Sequence, residues 1–234
     1  MTQHGVQARS DRSRPAARAA EAGVYAKGKS RASEIVDAAI SLLIERGYHN
    51  LSMRGVAESA GVRLGNLQHY FPTKDDLVQA MLDRVLEDYL QRFDEIHDSI
   101  QDPGEEFAAL VGSVIRDLNQ RKTTVFFPEL WSLSNHEKQV TRFMDHMYEK
   151  YRSVLCSVIA RINPSLKDEQ VRRLALFVCA SIEGHTVFIG HRKPWRNETE
   201  SIVSLATQSF LWLIREGHVP EGTIGNPKPC RTNA

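Results

Sequence analysis

The stretch Ser52-Met-Arg-Gly-Val-Ala-Glu-Ser-Ala-Gly-Val-Arg-Leu-Gly-Asn-Leu-Gln-His-Tyr-Phe-Pro-Thr-Lys-Asp-Asp-Leu77 decides how the chain reads. It predicts two short helices around a Gly-centred corner, then the start of a third. That is the helix-turn-helix layout, in which the second helix enters the DNA major groove. Ser52 is a good N-cap, since its hydroxyl can accept from an orphan N–H of the next turn. A Glu at position 55 would complete a capping box, but Gly55 stands there. Met53, Val56 and Ala57 give a narrow apolar face at helical spacing. Gly61 sits where the first helix should end, in the left-handed conformation that glycine adopts most cheaply. Val62 follows as the apolar plug of the corner. Two ordinary small helices joined by a Gly turn would look the same, because such patterns are short.

The second helix spans roughly Arg63 to Tyr70, with Leu67 and Phe71 pointing inward. Arg63, Leu64, Asn66, Gln68, His69 and Tyr70 are left to face outward. Asn and Gln can bond adenine edges, Arg can bond guanine, and Leu can touch a thymine methyl. Pro72 ends this helix. Thr73 opens another, with Asp76 three residues on. Lys74 has the wrong sign for a first turn. A DNA phosphate beside it would remove that penalty.

The whole of Ser33–Leu86, about a quarter of the chain, resembles the TetR family of bacterial transcriptional regulators. The matching residues are Ile35, Ala39, Leu42, Leu43 and Gly47, the Val56-Ala57 pair, Ala60-Gly61-Val62, Gly65, Leu67, and Tyr70-Phe71-Pro72 with Lys74 and Leu77. Arg63 departs from the family's usual Ser or Thr, so the cap of the second helix is lost or replaced. Gln68 departs from a frequent Tyr, and Ser52 from the commoner Thr. The Asn66–Phe71 variant is similar to a subset that includes betaine- and choline-responsive regulators. The resemblance implies a DNA-facing set of Lys29, Arg31, Ser52, Met53, Arg54, Arg63, Leu64, Gly65, Asn66, Gln68, His69, Tyr70 and Lys74.

Bulk properties agree with a globular protein. The chain has 234 residues, 41% hydrophobic and 25% charged, with a net charge of +1. It is no polycation, so DNA affinity must come from local positive patches. Residues 1–30 form an Ala-, Ser- and Gly-rich basic arm with Arg9, Arg12, Arg14, Arg18, Lys27 and Lys29, expected to be disordered at its start. It reads either as an arm adding phosphate contacts or as a plain soluble tail. No run of 18 apolar residues exists, and no secretory signal is expected. Cys156, Cys179 and Cys230 are widely spaced, and Cys156 and Cys179, in apolar helical runs, read as buried thiols of a reducing cytoplasm.

Beyond the corner the chain predicts only helices. Leu77 to Ile96 keeps helical spacing as one long helix, broken at Asp102-Pro103-Gly104. Further helices are expected near Phe107–Leu118, Glu137–Ile162, Asp168–Phe188 and Glu198–Glu216, the last ended by Gly217. Pro128 is expected to kink or restart a helix in the aromatic patch Val125–Leu133. The fold class is therefore all-α, with about nine helices. A three-helix DNA-binding domain spans 31–77. A helical domain for effector binding and dimerisation spans 78–218, and a loose tail 219–234.

The resemblance implies a homodimer built from the last two helices, through Val171, Leu174, Ala175, Val178, Ile182, Ile202, Leu205, Ala206, Ser209, Phe210 and Leu213. It also implies a small-molecule cavity, with Phe126, Phe127, Glu129, Trp131, Met144, Met147, Tyr148, Phe177, His185 and Phe188 as candidates. Aromatic and Met stripes are equally the mark of a plain core. No cofactor is expected, and the His spacings do not suit a metal. GxSxG, HExxH, P-loop and dinucleotide fingerprints are all missing, so an enzyme has no motif to rest on. The leading expectation is a cytoplasmic homodimeric repressor of a pseudo-palindromic operator, released by a small effector and without a membrane partner. The alternatives are a ligand-independent DNA-binding regulator and an all-helical enzyme lacking a recognisable motif.

Overall fold

Helical spacing governs nearly the whole chain. The computed structural model describes the backbone of residues 14–217, 219 and 220, and side chains from Ser30 on. Among the described residues the fold is all-α, with nine α-helices and no strand. They are α1 (Arg14–Arg46), α2 (Met53–Ser59), α3 (Leu64–Tyr70), α4 (Lys74–Ser99), α5 (Pro103–Asp117), α6 (Arg121–Ser134), α7 (Lys138–Ile162), α8 (Asp168–Ile189) and α9 (Thr199–Glu216).

Two expectations are corrected. The arm expected over 1–30 is helical from Arg14. Its Ala16–Ala22 run of Ala, Arg and Glu favours helix by intrinsic propensity, without needing an apolar face. Residues 1–13, 218 and 221–234 lie outside the described residues, and so do the side chains of Lys27 and Lys29. Secondly, α6 continues unbroken through Pro128 instead of restarting there. Only the donor to the Thr124 carbonyl is lost, and the Phe126, Phe127 and Leu130 side chains bury the helix on both sides of it.

The chain forms two compact units. Unit 1 takes the residues up to Leu42 and Leu51–Met81, and unit 2 takes Leu43–Asn50 and the residues from Leu82 on. Unit 1 buries Ile35, Ala39 and Leu42 of α1, Val56 and Ala57 of α2, Leu67 of α3, and Leu77 and Met81 of α4. The core of unit 2 joins Phe107, Leu110 and Ile115 of α5 to Leu155 and Ile159 of α7, Leu174, Val178 and Ile182 of α8, and Phe210 and Ile214 of α9. Asp102 caps α5 by accepting from Glu105 N–H at 2.9 Å, with Pro103 in the first turn. Gly217 closes α9 at φ +67°, a left-handed C-terminal stop.

Within unit 2, α6 holds the Leu43–Asn50 segment. Arg121 Nη2 donates to the Ile44 carbonyl at 3.0 Å, and Tyr48 N–H donates to Glu129 Oε2 at 3.4 Å. Gly47 sits at φ +74°, and a side chain there would first meet the Glu129 carboxylate.

Candidate functional site

The corner in unit 1 is fixed by short-range bonds. Ser52 Oγ accepts from Gly55 N–H at 3.1 Å and caps α2. A Cβ on Gly55 would lie 3.2 Å from that Oγ and 3.4 Å from Leu42 Cδ2, so a Glu there would crowd both the cap and the core. Gly61 adopts φ +64°, and Val62 N–H then reaches the Ala57 carbonyl at 2.9 Å. Leu67 is fully buried beneath α3, and Phe71 is buried at its end. Arg63 occupies the N-cap of α3 with extended backbone and makes no side-chain cap bond. Its guanidinium is therefore not spent on the helix it precedes.

The outward face of α3 carries Arg63, Gly65, Asn66, Gln68 and His69, all exposed, while Leu64 and Tyr70 are half-buried. The His69 and Tyr70 rings meet edge-on at 5.5 Å. Gly65 is exposed on a helix seven residues long, and nothing lies within 4 Å of where its Cβ would stand. Thr73 and Asp76 cap the start of α4 reciprocally: Asp76 N–H donates to Thr73 Oγ1 at 3.1 Å, and Thr73 N–H donates to Asp76 Oδ2 at 3.0 Å. Lys74 stands half-buried in that first turn, and Arg54 is exposed on α2 beside half-buried Met53. Arg31 pairs with Glu34 at 2.6 Å on α1.

Unit 2 contains an apolar cavity partly open to solvent, with about 500 Å³ of empty space when its open mouth is included. Leu86, Tyr89, Leu90 and Phe93 of α4 form one wall, and Val114 and Leu118 of α5 another. Thr123 and Phe127 of α6, Met147, Tyr148 and Tyr151 of α7, and Glu183 of α8 complete it. Of the residues the sequence proposed, it brings together Phe127, Met147 and Tyr148. Trp131 reaches it indirectly, donating its indole N–H to Tyr148 Oη at 2.8 Å. Phe126 lines a neighbouring hollow, and Glu129 turns to Tyr48. Met144 and His185 are outside the lining, and Phe177 and Phe188 are surface residues, 51% and 59% exposed.

The polar groups of the cavity are few. Burial pushes the Glu183 carboxyl up to about 7, opposed by a hydrogen bond with Tyr148. Burial likewise drives the Tyr89, Tyr148 and Tyr151 phenols well above their ordinary range and the Cys179 thiol up to about 12. Tyr89 Oη donates to Asp117 at 2.6 Å, and buried Asp117 also accepts from Thr123 Oγ1 at 3.0 Å and Gln120 Nε2 at 2.8 Å. Arg92 stands 3.3 Å from the same carboxylate. The Tyr151 hydroxyl is buried and has no hydrogen-bond partner among the described residues.

Sequence reasoning offered Glu183 among the polar groups of such a pocket, with Glu129, His146 and His185, but it missed Tyr89, Phe93 and Tyr151. The three aromatic residues sit in stripes that read as core, and only the Tyr148/Tyr151 spacing placed a second phenol on the face of the first. Burial also divides the residues expected at a dimer interface. Val171, Leu174, Ala175, Val178, Ile182 and Phe210 point into the chain's own core, while Ile202, Ala206 and Leu213 pack against it. Leu205 and Ser209 remain exposed, and they are joined by Leu176, Phe177, Val187 and Phe188 of α8 and Trp212 of α9. Both sides of α8 are apolar, so periodicity could not choose between them. No group of three or more His, Cys, Asp or Glu suited to a metal occurs among the described residues. None of their helices is long and apolar enough to cross a membrane.

The corner and the helical unit that follows it in the chain define a DNA-binding transcriptional regulator. Residues 35–81 match the model of bacterial regulatory proteins of the TetR family, and residues 103–204 match that of the BetI-type transcriptional repressor C-terminal domain. The chain belongs to the TetR family. It is 26% identical over 198 residues to the HTH-type transcriptional regulator BetI of Serratia proteamaculans, covering 81% of this chain and 95% of that one. It is 27% identical over 167 residues to an HTH-type transcriptional regulator in the dhlA 5' region of Xanthobacter autotrophicus, covering 69% and 80%. In fold it is similar to a TetR-family regulator from Mesorhizobium loti, with TM-score 0.66, 16% identity and coverage of 80% and 97%. It is similar also to FadR from Bacillus subtilis, solved with stearoyl-CoA, with TM-score 0.60, 18% identity and coverage of 79% and 98%.

Proposed function

We propose that this chain is a homodimeric repressor that binds a pseudo-palindromic operator and leaves it when a small molecule occupies unit 2. The outward face of α3 carries the reading. An exposed Gly in a short helix costs about 1 kcal/mol against Ala, and nothing among the described residues requires one at Gly65. A DNA backbone pressed against that position would. Around it stand Arg63, Asn66, Gln68 and His69, side chains suited to base edges and phosphates. Ser52, Met53, Arg54, Leu64, Tyr70 and Lys74 would flank the contact, with Lys29 and Arg31 adding charge from α1. DNA reading falls to residues 31–77, with the arm 1–30 adding charge, and effector binding and self-association to 78–218, leaving 219–234 as a tail; the protein acts in the cytoplasm.

Two further observations support the regulatory part. The apolar surface formed by Leu176, Phe177, Val187 and Phe188 on α8 and Leu205 and Trp212 on α9 is of the kind that marks protein contact, and a second copy is the occupant in this reading. A dimer places two recognition helices about one helical turn apart, ~34 Å or a multiple of it, as a palindrome requires. The cavity gives an effector somewhere to act, and the effector must bind the DNA-competent and released conformations unequally.

Gel-shift titration against the protein's own promoter tests the proposal. A palindromic fragment should shift, and Arg63→Ala should weaken binding by about 1–3 kcal/mol at one base position if Arg63 reads guanine. Lys74→Ala should weaken all sequences alike and lower the salt slope by about 1 if it meets phosphate. No shift on any palindrome there would count against the reading.

A further inference from the structure

Among the described residues, the cavity lining holds one carboxyl group, Glu183, and no Lys, Arg or His. A buried carboxylate without a cation is costly, and the ordinary outcome is that it keeps its proton. The Trp131 N–H already donates to Tyr148 Oη, so the Tyr148 hydroxyl proton is free to go to Glu183, with which it is hydrogen-bonded. One carboxyl oxygen is thereby occupied as an acceptor, which leaves the protonated oxygen as a donor. Three residues along from Tyr148 on α7, the Tyr151 hydroxyl is buried in the same lining with no partner among the described residues. Two O–H donors in an otherwise apolar chamber need an acceptor that is uncharged and not itself a strong donor. A carbonyl oxygen meets that requirement. A protonated carboxylic acid and a phenol binding one ketone oxygen is an established chemical arrangement in apolar protein sites.

We propose that the effector is an uncharged, largely apolar molecule carrying a carbonyl oxygen, held by the Glu183 carboxyl and the Tyr151 hydroxyl. This rests on the reading of the cavity as the effector site. An anion would meet the Glu183 carboxyl with no cation to offset it. An ammonium would require Glu183 to ionise among apolar side chains. No cation faces Glu183 from the lining, and the Tyr148 hydrogen bond, which favours the charged form, is outweighed by burial. The Tyr89, Tyr148 and Tyr151 phenols and the Cys179 thiol all stay protonated near neutral pH, because burial raises each of them. The α5 and α6 walls contribute only Val114, Leu118, Thr123 and Phe127. Arg152 acts on Cys179 and is not part of the lining.

Four molecules with similar bodies test this by calorimetry on the full-length protein: 4-phenylbutan-2-one, 4-phenylbutan-2-ol, 4-phenylbutan-2-amine and 3-phenylpropanoate. The ketone should bind at least tenfold tighter than the amine or the acid and tighter than the alcohol. With Glu183 titrating at about 7, ketone affinity should fall about tenfold from pH 6 to pH 8. Glu183→Gln, whose amide N–H can still donate, should keep ketone binding and abolish its pH dependence. Tyr151→Phe should weaken the ketone severalfold, with operator binding by gel shift serving as the check that each variant is folded. Tightest binding by the amine or the acid overturns the proposal, as does a pH-independent ketone affinity in the unmutated protein. If one of those ligands also releases operator DNA, the effector reading survives and only the ligand class fails. If none of the four binds while the DNA shift persists, both fall.

Discussion

In the corner of unit 1, each fixing bond spans five positions of chain or fewer: Ser52 to Gly55, Val62 to Ala57, Thr73 to Asp76. In the cavity of unit 2, the walls come from five helices and from positions as far apart as Leu86 and Glu183. The first kind of site is specified by residues that neighbour each other in sequence and tolerates little change in them. The second kind depends on the packing of α4 to α8, and its chemistry rests on a few buried polar groups with no local signature. The contrast implies that the corner fails through backbone and packing, whereas the cavity changes through protonation.

The largest effect should come from Leu67→Ala. Leu67 is 0% exposed, so the truncation should cost about 2–5 kcal/mol and abolish operator binding. Binding in the unit 2 cavity should survive. Loss of both together, measured by gel shift and calorimetry on one preparation, would break the comparison.

Glu183→Gln comes next and should act in the opposite direction. The folded carboxyl titrates at about 7, above its ordinary 4.5, so between those values the folded chain binds more protons than the unfolded one. Stability therefore falls as pH rises through that window and is flat above it. Removing the charge should stabilise the protein at pH 8 by about 3 kcal/mol and leave it nearly unchanged at pH 4. Chemical denaturation at the two pH values checks this, and equal effects at both would mean that Glu183 is not buried as described.

The smallest effect should be that of Gly61→Ala. No atom lies within 4 Å of the added Cβ, so only the left-handed backbone at φ +64° opposes it. The cost should be about 1–2 kcal/mol. A larger loss in thermal unfolding would show that something other than backbone strain acts at the corner.

The same contrast explains what the sequence revealed. Ser52, Gly61, Leu67 and the Thr73/Asp76 box were legible because capping and turn chemistry act over one helical turn. The outward set from Arg63 to Tyr70 followed from knowing that Leu67 and Phe71 point in. Tyr89 and Phe93 were read as core because a helical stripe does not distinguish a residue against a neighbouring helix from one against a void. Phe177 and Phe188 were placed inside because α8 is apolar on two sides, and only the positions of α5, α7 and α9 decide which side is covered. The early start of α1 was missed because an Ala-rich helix needs no apolar face to form.

The hold of α6 on residues 43–50, through Arg121 to Ile44 and Glu129 to Tyr48, has a consequence for how this protein can be taken apart. The chain passes between its two units after Leu42, after Asn50 and after Met81. A fragment cut at residue 81 would keep the linker ahead of α2 but lose the helix that anchors it. Grafting this reading head onto a relative's sensor would likewise need matched residues on α6, so the unit of modular exchange is the head together with its α6 clasp.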